Sequence, residues 1–307
     1  MRFVMAGGTG FLGRAWTAQL QAHDHDVVWL VRREPREPHE VRWDPYSGRL
    51  DPEVVESADV VVNLAGAPLA HWPWTASYRT TFRDSRIVTT RVLAQAVAAS
   101  ERKPALVAQS GVAAYGDRGA EVIDEQTPTD ADTFMGQVVR DWEAATAPAA
   151  ESGARVVTMR TAVVLDRSGG ALRLMVPAFK AGVGGRIGRG DQYFPVITLH
   201  DWLGAATFLA YDDRAHGAYN VSGPDPSTNA EFTRALSRAL RRPTVLPVPA
   251  GPLRALARIP AGELLASARV EPHRLEEQGY AFAHCDVDDR VRAALEGYRA
   301  VTPRAPS

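Results

Sequence analysis

Residues 1–13 read MRFVMAGGTGFLG, and the fold follows from this stretch. Positions 2–6 form a short apolar run of the kind needed by a parallel strand buried on both faces. The run breaks into a glycine cluster and then into a helix-period stretch over residues 11–20, giving strand, tight turn and helix. Gly7, Gly10 and Gly13 stand at GxxGxxG spacing, and Gly8, Gly10 and Gly13 also satisfy GxGxxG. A side chain at such a turn would block a pyrophosphate, and one at Gly13 would push the helix off the strand. The free N–H groups and positive end of the helix then receive phosphates, so the stretch reads as a dinucleotide-binding turn.

Composition sets the outer limits. The 307 residues are 45% hydrophobic and 23% charged, an ordinary globular mix with ample material for a core. A formal net charge of −1 offers nothing electrostatic to nucleic acid or an anionic membrane. One cysteine, Cys285, leaves no internal disulfide and no thiolate-rich metal site, so no metal is expected and a reducing compartment fits. The first strand starts at residue 2 and no apolar run approaches the ~18 residues of a membrane span, so a cytoplasmic protein without a signal peptide is expected.

A second strand over 26–31 ends in Arg32 and Arg33, about 20 residues after the turn, where an NAD-binding chain places a carboxylate against the ribose 2′-hydroxyl. Two guanidinium forks there favour a 2′-phosphate, and so NADP(H). Buried strands are expected over 59–64, 105–109 and 155–160, with helices over 75–100 and 134–151. Arg86, on the first of these helices, is read as a cation that reaches the cofactor, and the same helix offers a surface for a homodimer. Strand and helix alternate five times, which argues for an α/β fold with a Rossmann-type doubly wound parallel sheet. Residues 168–195 are glycine-rich. The stretch 196–226 reads as a return to the sheet, its last strand over 217–221. Helices follow over 231–241, 262–267, 272–278 and 287–298. The expected division is a dinucleotide-binding domain of residues 1–167, rejoined by 196–226, and a smaller, mainly helical cap of 168–195 and 227–307.

The segments GGTGFLG (7–13), VVNLAG (61–66), RDSRIVTTRVL (83–93), SGVAAYG (110–116), RDWEAA (140–145), RTAVVLDRSGGAL (160–172) and GGRIGRGDQYFPVITLHD (184–201) jointly resemble the extended short-chain dehydrogenase/reductase superfamily. Within it the chain is similar to the atypical, epimerase-like branch, whose small C-terminal domain residues 246–282 resemble. The resemblance implies a nicotinamide dinucleotide across the sheet edge. Its pyrophosphate would lie on Gly7, Thr9, Gly10, Phe11, Leu12 and Gly13, its adenine near Leu64, Ala65 and Gly66, and its nicotinamide near Ser110, Gly111, Thr161, Ala162 and Val163. Hydride transfer to or from a carbonyl or alcohol carbon of a small molecule, such as a nucleotide sugar, is the activity it implies.

The chain departs from that superfamily at the catalytic positions. A Ser or Thr before the YG pair, then Tyr and Lys four apart on the next helix, correspond here to Gly111, Met135 and Val139. The only lysines, Lys103 and Lys180, follow Ala99 and Val176 at that spacing, so no Tyr-x-x-x-Lys exists. Such a pair exchanges a proton with the substrate oxygen as hydride moves, because the lysine lowers the tyrosine pKa. Tyr115, Tyr193, His200 and Asp201 are the remaining candidate acids. Each has a structural alternative, His200 and Asp201 standing where a helix N-cap belongs. Arg160, Glu143 and Arg140 are read as members of structural ion pairs. Two functions stay open: an NADP(H)-dependent oxidoreductase or epimerase-like enzyme, which the elaborated loop and cap favour, and a non-catalytic NADPH-binding sensor or regulatory protein.

Overall fold

The computed structural model describes residues 1–71, 73–242 and 266–298. Seven parallel strands form one sheet: β1 (Arg2–Ala6), β2 (Asp26–Val31), β3 (Glu40–Arg42), β4 (Val60–Asn63), β5 (Ala105–Gly111), β7 (Val156–Thr161) and β10 (Gly217–Val221), in the order β10-β7-β5-β4-β1-β2-β3. The chain leaves β1 toward β2 on one side and later returns to place β4 on the other. The switch point, where ligands bind in open α/β sheets, therefore lies at the carboxyl ends of β1 and β4.

Alternation along β1 separates two cores. Phe3 and Met5 face a layer made with α1 (Phe11–Gln21) and α7 (Leu199–Tyr211), where Trp16 and Trp202 meet edge to face at 5.8 Å. Val4 and Ala6 face the layer of α2 (Pro52–Glu56), α3 (Ala76–Ala99) and α5 (Ala147–Glu151). The 24-residue α3 starts where its Thr75 side chain caps the Tyr78 N–H, and it buries Phe82, Ile87, Leu93, Ala94 and Val97.

Three expectations are corrected. The helix expected over 134–151 is two helices, α4 (Phe134–Ala144) and α5. Pro148 falls in the first turn of α5, where its missing N–H is harmless, whereas a continuous helix would need that donor. The stretch 196–226 returns to the main sheet only through β10. Its first strand, β9 (Val196–Thr198), pairs with β8 (Val163–Asp166) in a separate two-stranded sheet, because β10 already occupies the free flank of β7. A further strand pair joins the two expected domains: β6 (Val122–Ile123) lies parallel to β11 (Arg269–Val270). The cap also holds α6 (Gly170–Lys180), α8 (Asn229–Leu240), α9 (His273–Glu277) and α10 (Val287–Glu296). Of the helix expected over 262–267, residues 262–265 lie outside the described residues, and Ser267 is not helical.

Candidate functional site

At the switch point the glycines have distinct duties. Gly7 has φ +86°, and a Cβ there would stand 2.6 Å from the Leu64 carbonyl carbon and 2.8 Å from the Ala65 nitrogen. Gly13 is closed by its own turn, since a Cβ would come within 2.7 Å of Gly8 Cα and closer still to the Gly7 carbonyl oxygen. Gly10 is different: its Cβ would meet only the Gly7 carbonyl oxygen, at 3.2 Å. The fold thus requires glycine at 7 and 13, and the bare space at Gly10 is free for a ligand. Helix α1 begins at Gly10 with no side-chain cap and no acidic residue in its first turn, which leaves its first N–H groups available to an anion. Thr9 and Gly66 are exposed and Phe11, Leu12, Leu64 and Ala65 half-buried around this opening. The Phe11 ring is covered by the loop after β8, where a Cβ on Gly169 would collide with it.

The two arginines after β2 part company. Arg32 is exposed and makes no hydrogen bond or ion pair with a described residue. Arg33 instead grips Glu40 with both Nη atoms, at 2.7 and 2.6 Å, and the Arg36 N–H adds a third contact at 2.7 Å. These donors, the Arg33 hydrogen bonds first, hold the Glu40 carboxyl down at about 2. The Arg33 fork is therefore committed within the protein, which leaves Arg32 to meet a phosphate.

Ser110 and Tyr115 are turned away from the opening. The Ser110 hydroxyl donates to Glu143 Oε1 at 2.6 Å, and Arg160 holds both Glu143 oxygens at 2.8 Å. Arg160 Nη1 also donates to the Tyr115 hydroxyl at 2.9 Å, which donates in turn to Asn220 Oδ1 at 2.7 Å. Tyr115 is 1% exposed, and burial pushes its hydroxyl up to about 12. The phenol is thus sealed from the opening, with both of its hydrogen bonds made inside the protein. Arg160 and Glu143 form the ion pair expected of them. Arg140 pairs with no carboxylate among the described residues; it donates to the Thr129 and Ala131 carbonyls.

Gly111 is extended, at φ −149°, and a Cβ there would find only Val139 Cγ2, at 3.9 Å. Helix α4 meets this point with the apolar side chains of Met135, Val139 and Trp142, all buried. Thr161 accepts from Trp202 Nε1 at 3.1 Å, and Ala162 ties β8 to Val221 through its N–H. Val163, the first residue of β8, is half-buried. Beside the opening, Arg86 packs on the Phe82 ring, 3.5 Å from its centroid.

The other candidate acids stand in the cap. Tyr193 bridges to Thr228 and receives Arg269 over its ring at 5.6 Å. His200 and Asp201 are not the N-cap of α7; that is Thr198, whose side chain accepts from the Asp201 N–H because its backbone is still extended. Asp201 is 1% exposed and accepts from Ala283 N, His284 N, His284 Nδ1 and the Thr198 hydroxyl, so it pins the 283–284 turn to α7. His200 and His284, the latter missed in the sequence reading, border a cavity of about 150 Å³ that Asp166, Glu296 and Tyr298 also line, with Asp201 buried behind them.

This cluster has a pH signature. The Asp201 carboxylate, 3.7 Å from His200 Nδ1, raises the His200 pKa above 6.5, and that of Asp201, although burial pushes it up, is held below 3.8 by His200, Ala283, Thr198 and His284. A raised histidine contributes fully below pH 6.5 and loses its contribution as pH climbs through the raised value; the lowered carboxylate contributes above pH 3.8 and loses it as pH falls. His200→Gln is expected to melt below the parent chiefly between pH 3.8 and 6.5, the gap closing at higher pH. Thermal melts across that range check this, and a gap that widens with rising pH would contradict it.

A parallel sheet wound both ways from a glycine turn defines a nucleotide-binding protein of the dehydrogenase class. Residues 3–165 match the NAD dependent epimerase/dehydratase family, and the chain belongs to that family. It is 41% identical over 301 residues to an epimerase family protein of Mycobacterium bovis, covering 98% of both chains. The crystal structure of the human epimerase family protein SDR39U1 (isoform 2) with NADPH superposes with a TM-score of 0.88 at 33% identity, over 96% of this chain and 99% of that one. A homologue from Arabidopsis thaliana, 32% identical over 305 residues, covering 96% of this chain and 87% of that one, is chloroplastic, so membership does not imply the cytoplasm. Among the described residues no helix is long and apolar enough to cross a membrane.

Proposed function

We propose that this protein is an NADP(H)-binding oxidoreductase or epimerase-like enzyme that moves hydride to or from a carbonyl or alcohol carbon of a small substrate without a Tyr-x-x-x-Lys pair. The observation that carries the reading is the switch-point turn, where space at Gly10, uncapped N–H groups and an unpaired Arg32 fit the pyrophosphate and 2′-phosphate of one dinucleotide. The human relative with NADPH supports it. Thr9, Phe11, Leu12, Leu64, Ala65 and Gly66 would border the dinucleotide, and Gly111, Thr161, Ala162 and Val163 its reacting end. A bound nicotinamide supplies the hydride chemistry. Val139 borders Gly111, Met135 and Trp142 share its side of α4, and none of these three side chains is an acid. Of the two tyrosines considered, Tyr115 has its hydroxyl bonded within the protein, whereas that of Tyr193 makes no hydrogen bond to a described residue. The apolar face is also the observation that favours the second reading, a non-catalytic NADPH sensor.

The protein is expected to bind NADPH at least about tenfold more tightly than NADH, because one charge-assisted contact contributes about 1.5–3 kcal/mol. Arg32→Ala is expected to remove most of that preference and Arg33→Ala little of it. Fluorescence titration of both reduced cofactors decides the matter; equal affinities in the parent would sink the 2′-phosphate assignment. Turnover of NADPH against a panel of sugar nucleotides, ketones and quinones separates enzyme from sensor.

A further inference from the structure

His200 and His284 flank the buried Asp201 carboxylate from two separate parts of the chain, one in the first turn of α7 and the other shortly before α10. Their rings stand nearly at right angles, 87°, with centres 5.3 Å apart. One ligand atom of each of the three side chains lies within 4.8 Å of the other two. Hydrogen bonds use Asp201 unevenly. Oδ2 accepts from the Thr198 hydroxyl and from the N–H and Nδ1 of His284, whereas Oδ1 accepts, among the described residues, only from the Ala283 N–H, at 2.7 Å. The other polar neighbour of Oδ1 is His200 Nδ1 at 3.7 Å, too far for a hydrogen bond. A carboxylate that is 1% exposed thus keeps an acceptor position unused beside an imidazole that does not reach it.

That spacing suits a shared cation. At metal–ligand distances of about 2.0–2.1 Å, two ligand atoms of a tetrahedral site stand about 3.3 Å apart and two imidazole centres about 5.2 Å apart. The separations from the Asp201 oxygens to the two Nδ1 atoms, 2.9 and 3.7 Å, bracket the first value, and the 5.3 Å between the rings matches the second. A neutral ring carries its proton on either nitrogen, so each Nδ1 can offer a lone pair. The cavity of about 150 Å³ that both histidines border has room for the water that would fill a fourth position. Asp166 and Glu296 in its lining add negative charge, and the buried Arg290, which interacts with Asp201, opposes it. With three carboxylates against one guanidinium, the balance favours a cation.

We propose that His200, Asp201 and His284 form a binding site for a divalent cation of the zinc class, which ties the turn before α10 to the start of α7 and leaves one coordination position open to the cavity. Two imidazoles and a carboxylate select such ions over magnesium and calcium, which take oxygen ligands. The single cysteine excludes a thiolate-rich site, and this one needs no thiolate. The test is calorimetric titration of the untagged, chelator-dialysed protein with Zn²⁺ at about pH 8, where imidazoles are mostly neutral. One ion per chain is expected to bind with a Kd of about 10 µM or tighter and to raise the Tm, while Mg²⁺ at the same concentration does neither. His200→Gln and His284→Gln should each weaken binding by about tenfold or more and lose the rise in Tm, whereas Cys285→Ser should stay within about tenfold of the parent. Metal-free melts establish that the variants fold; if His284→Gln does not, His200→Gln, at an exposed position, decides alone. The proposal is overturned if Zn²⁺ binds more weakly than about 10 µM, if Mg²⁺ matches it, or if a folded glutamine variant stays within about tenfold of the parent. A loss of about tenfold or more in Cys285→Ser also overturns it, since the ion would then belong to the exposed thiol.

Discussion

Replacing Glu143 with alanine is expected to destabilise the protein by roughly 3–5 kcal/mol, because it leaves the Arg160 guanidinium buried and uncompensated. Arg160 is 7% exposed, and both of its strong contacts to α4 end on this one carboxylate. Ser110 loses its acceptor as well, at the end of β5 beside the cofactor opening. The paired change Glu143→Leu with Arg160→Met should recover most of the loss, since two apolar groups of similar volume ask for no counter-ion. Urea unfolding measures both, provided the slope m stays constant. A loss below about 1 kcal/mol in Glu143→Ala would show that water reaches the arginine and that the network is not closed.

The second large effect divides two glycines three residues apart. Gly10→Val is expected to keep the fold and abolish NADPH binding, because its Cβ meets one carbonyl oxygen at 3.2 Å while the rest of the side chain enters the pyrophosphate space. Affinity should fall by about 100-fold or more, equivalent to about 2.7 kcal/mol. Gly13→Ala is expected to do the reverse. Its Cβ collides with the backbone of Gly7 and Gly8, which no rotamer relieves, and overpacking of this kind costs about 1–3 kcal/mol or more. Circular dichroism and NADPH titration on both variants resolve the difference. A folded Gly10→Val protein with parental NADPH affinity would place the dinucleotide elsewhere.

What was legible in the sequence was what the backbone encodes locally. Strands β1, β2, β4, β5 and β7 showed as apolar runs because a parallel strand buried on both faces leaves no polar period to confuse. The turn at Gly7 to Gly13 showed because positive φ and close approach exclude side chains, so only glycine can stand there. The absence of Tyr-x-x-x-Lys was equally plain, since two lysines can be checked by eye. Even α3 was bounded within a residue at each end, Thr75 being the kind of residue that caps a helix.

Side-chain direction and charge pairing were another matter, because the partner is chosen by the sheet and not by the neighbouring sequence. Ser110 and Tyr115 sit at the expected edge, yet Glu143, Arg160 and Asn220, 33 to 105 residues away, turn their hydroxyls inward. Glu40, brought beside β2 by its own strand, takes Arg33 and leaves Arg32 free. Asp201 lies at the third position of a helix whose cap is legible, but its role is set by a turn 82 residues later. Arg86 was legible in the sequence as a cation that could reach the cofactor, but not the surroundings that hold it. Only the packing of α3 against α4 sets its guanidinium on Phe82 and near Trp142. Local sequence determined where the backbone goes, and the tertiary structure decided which polar groups are already satisfied and which are left for a ligand.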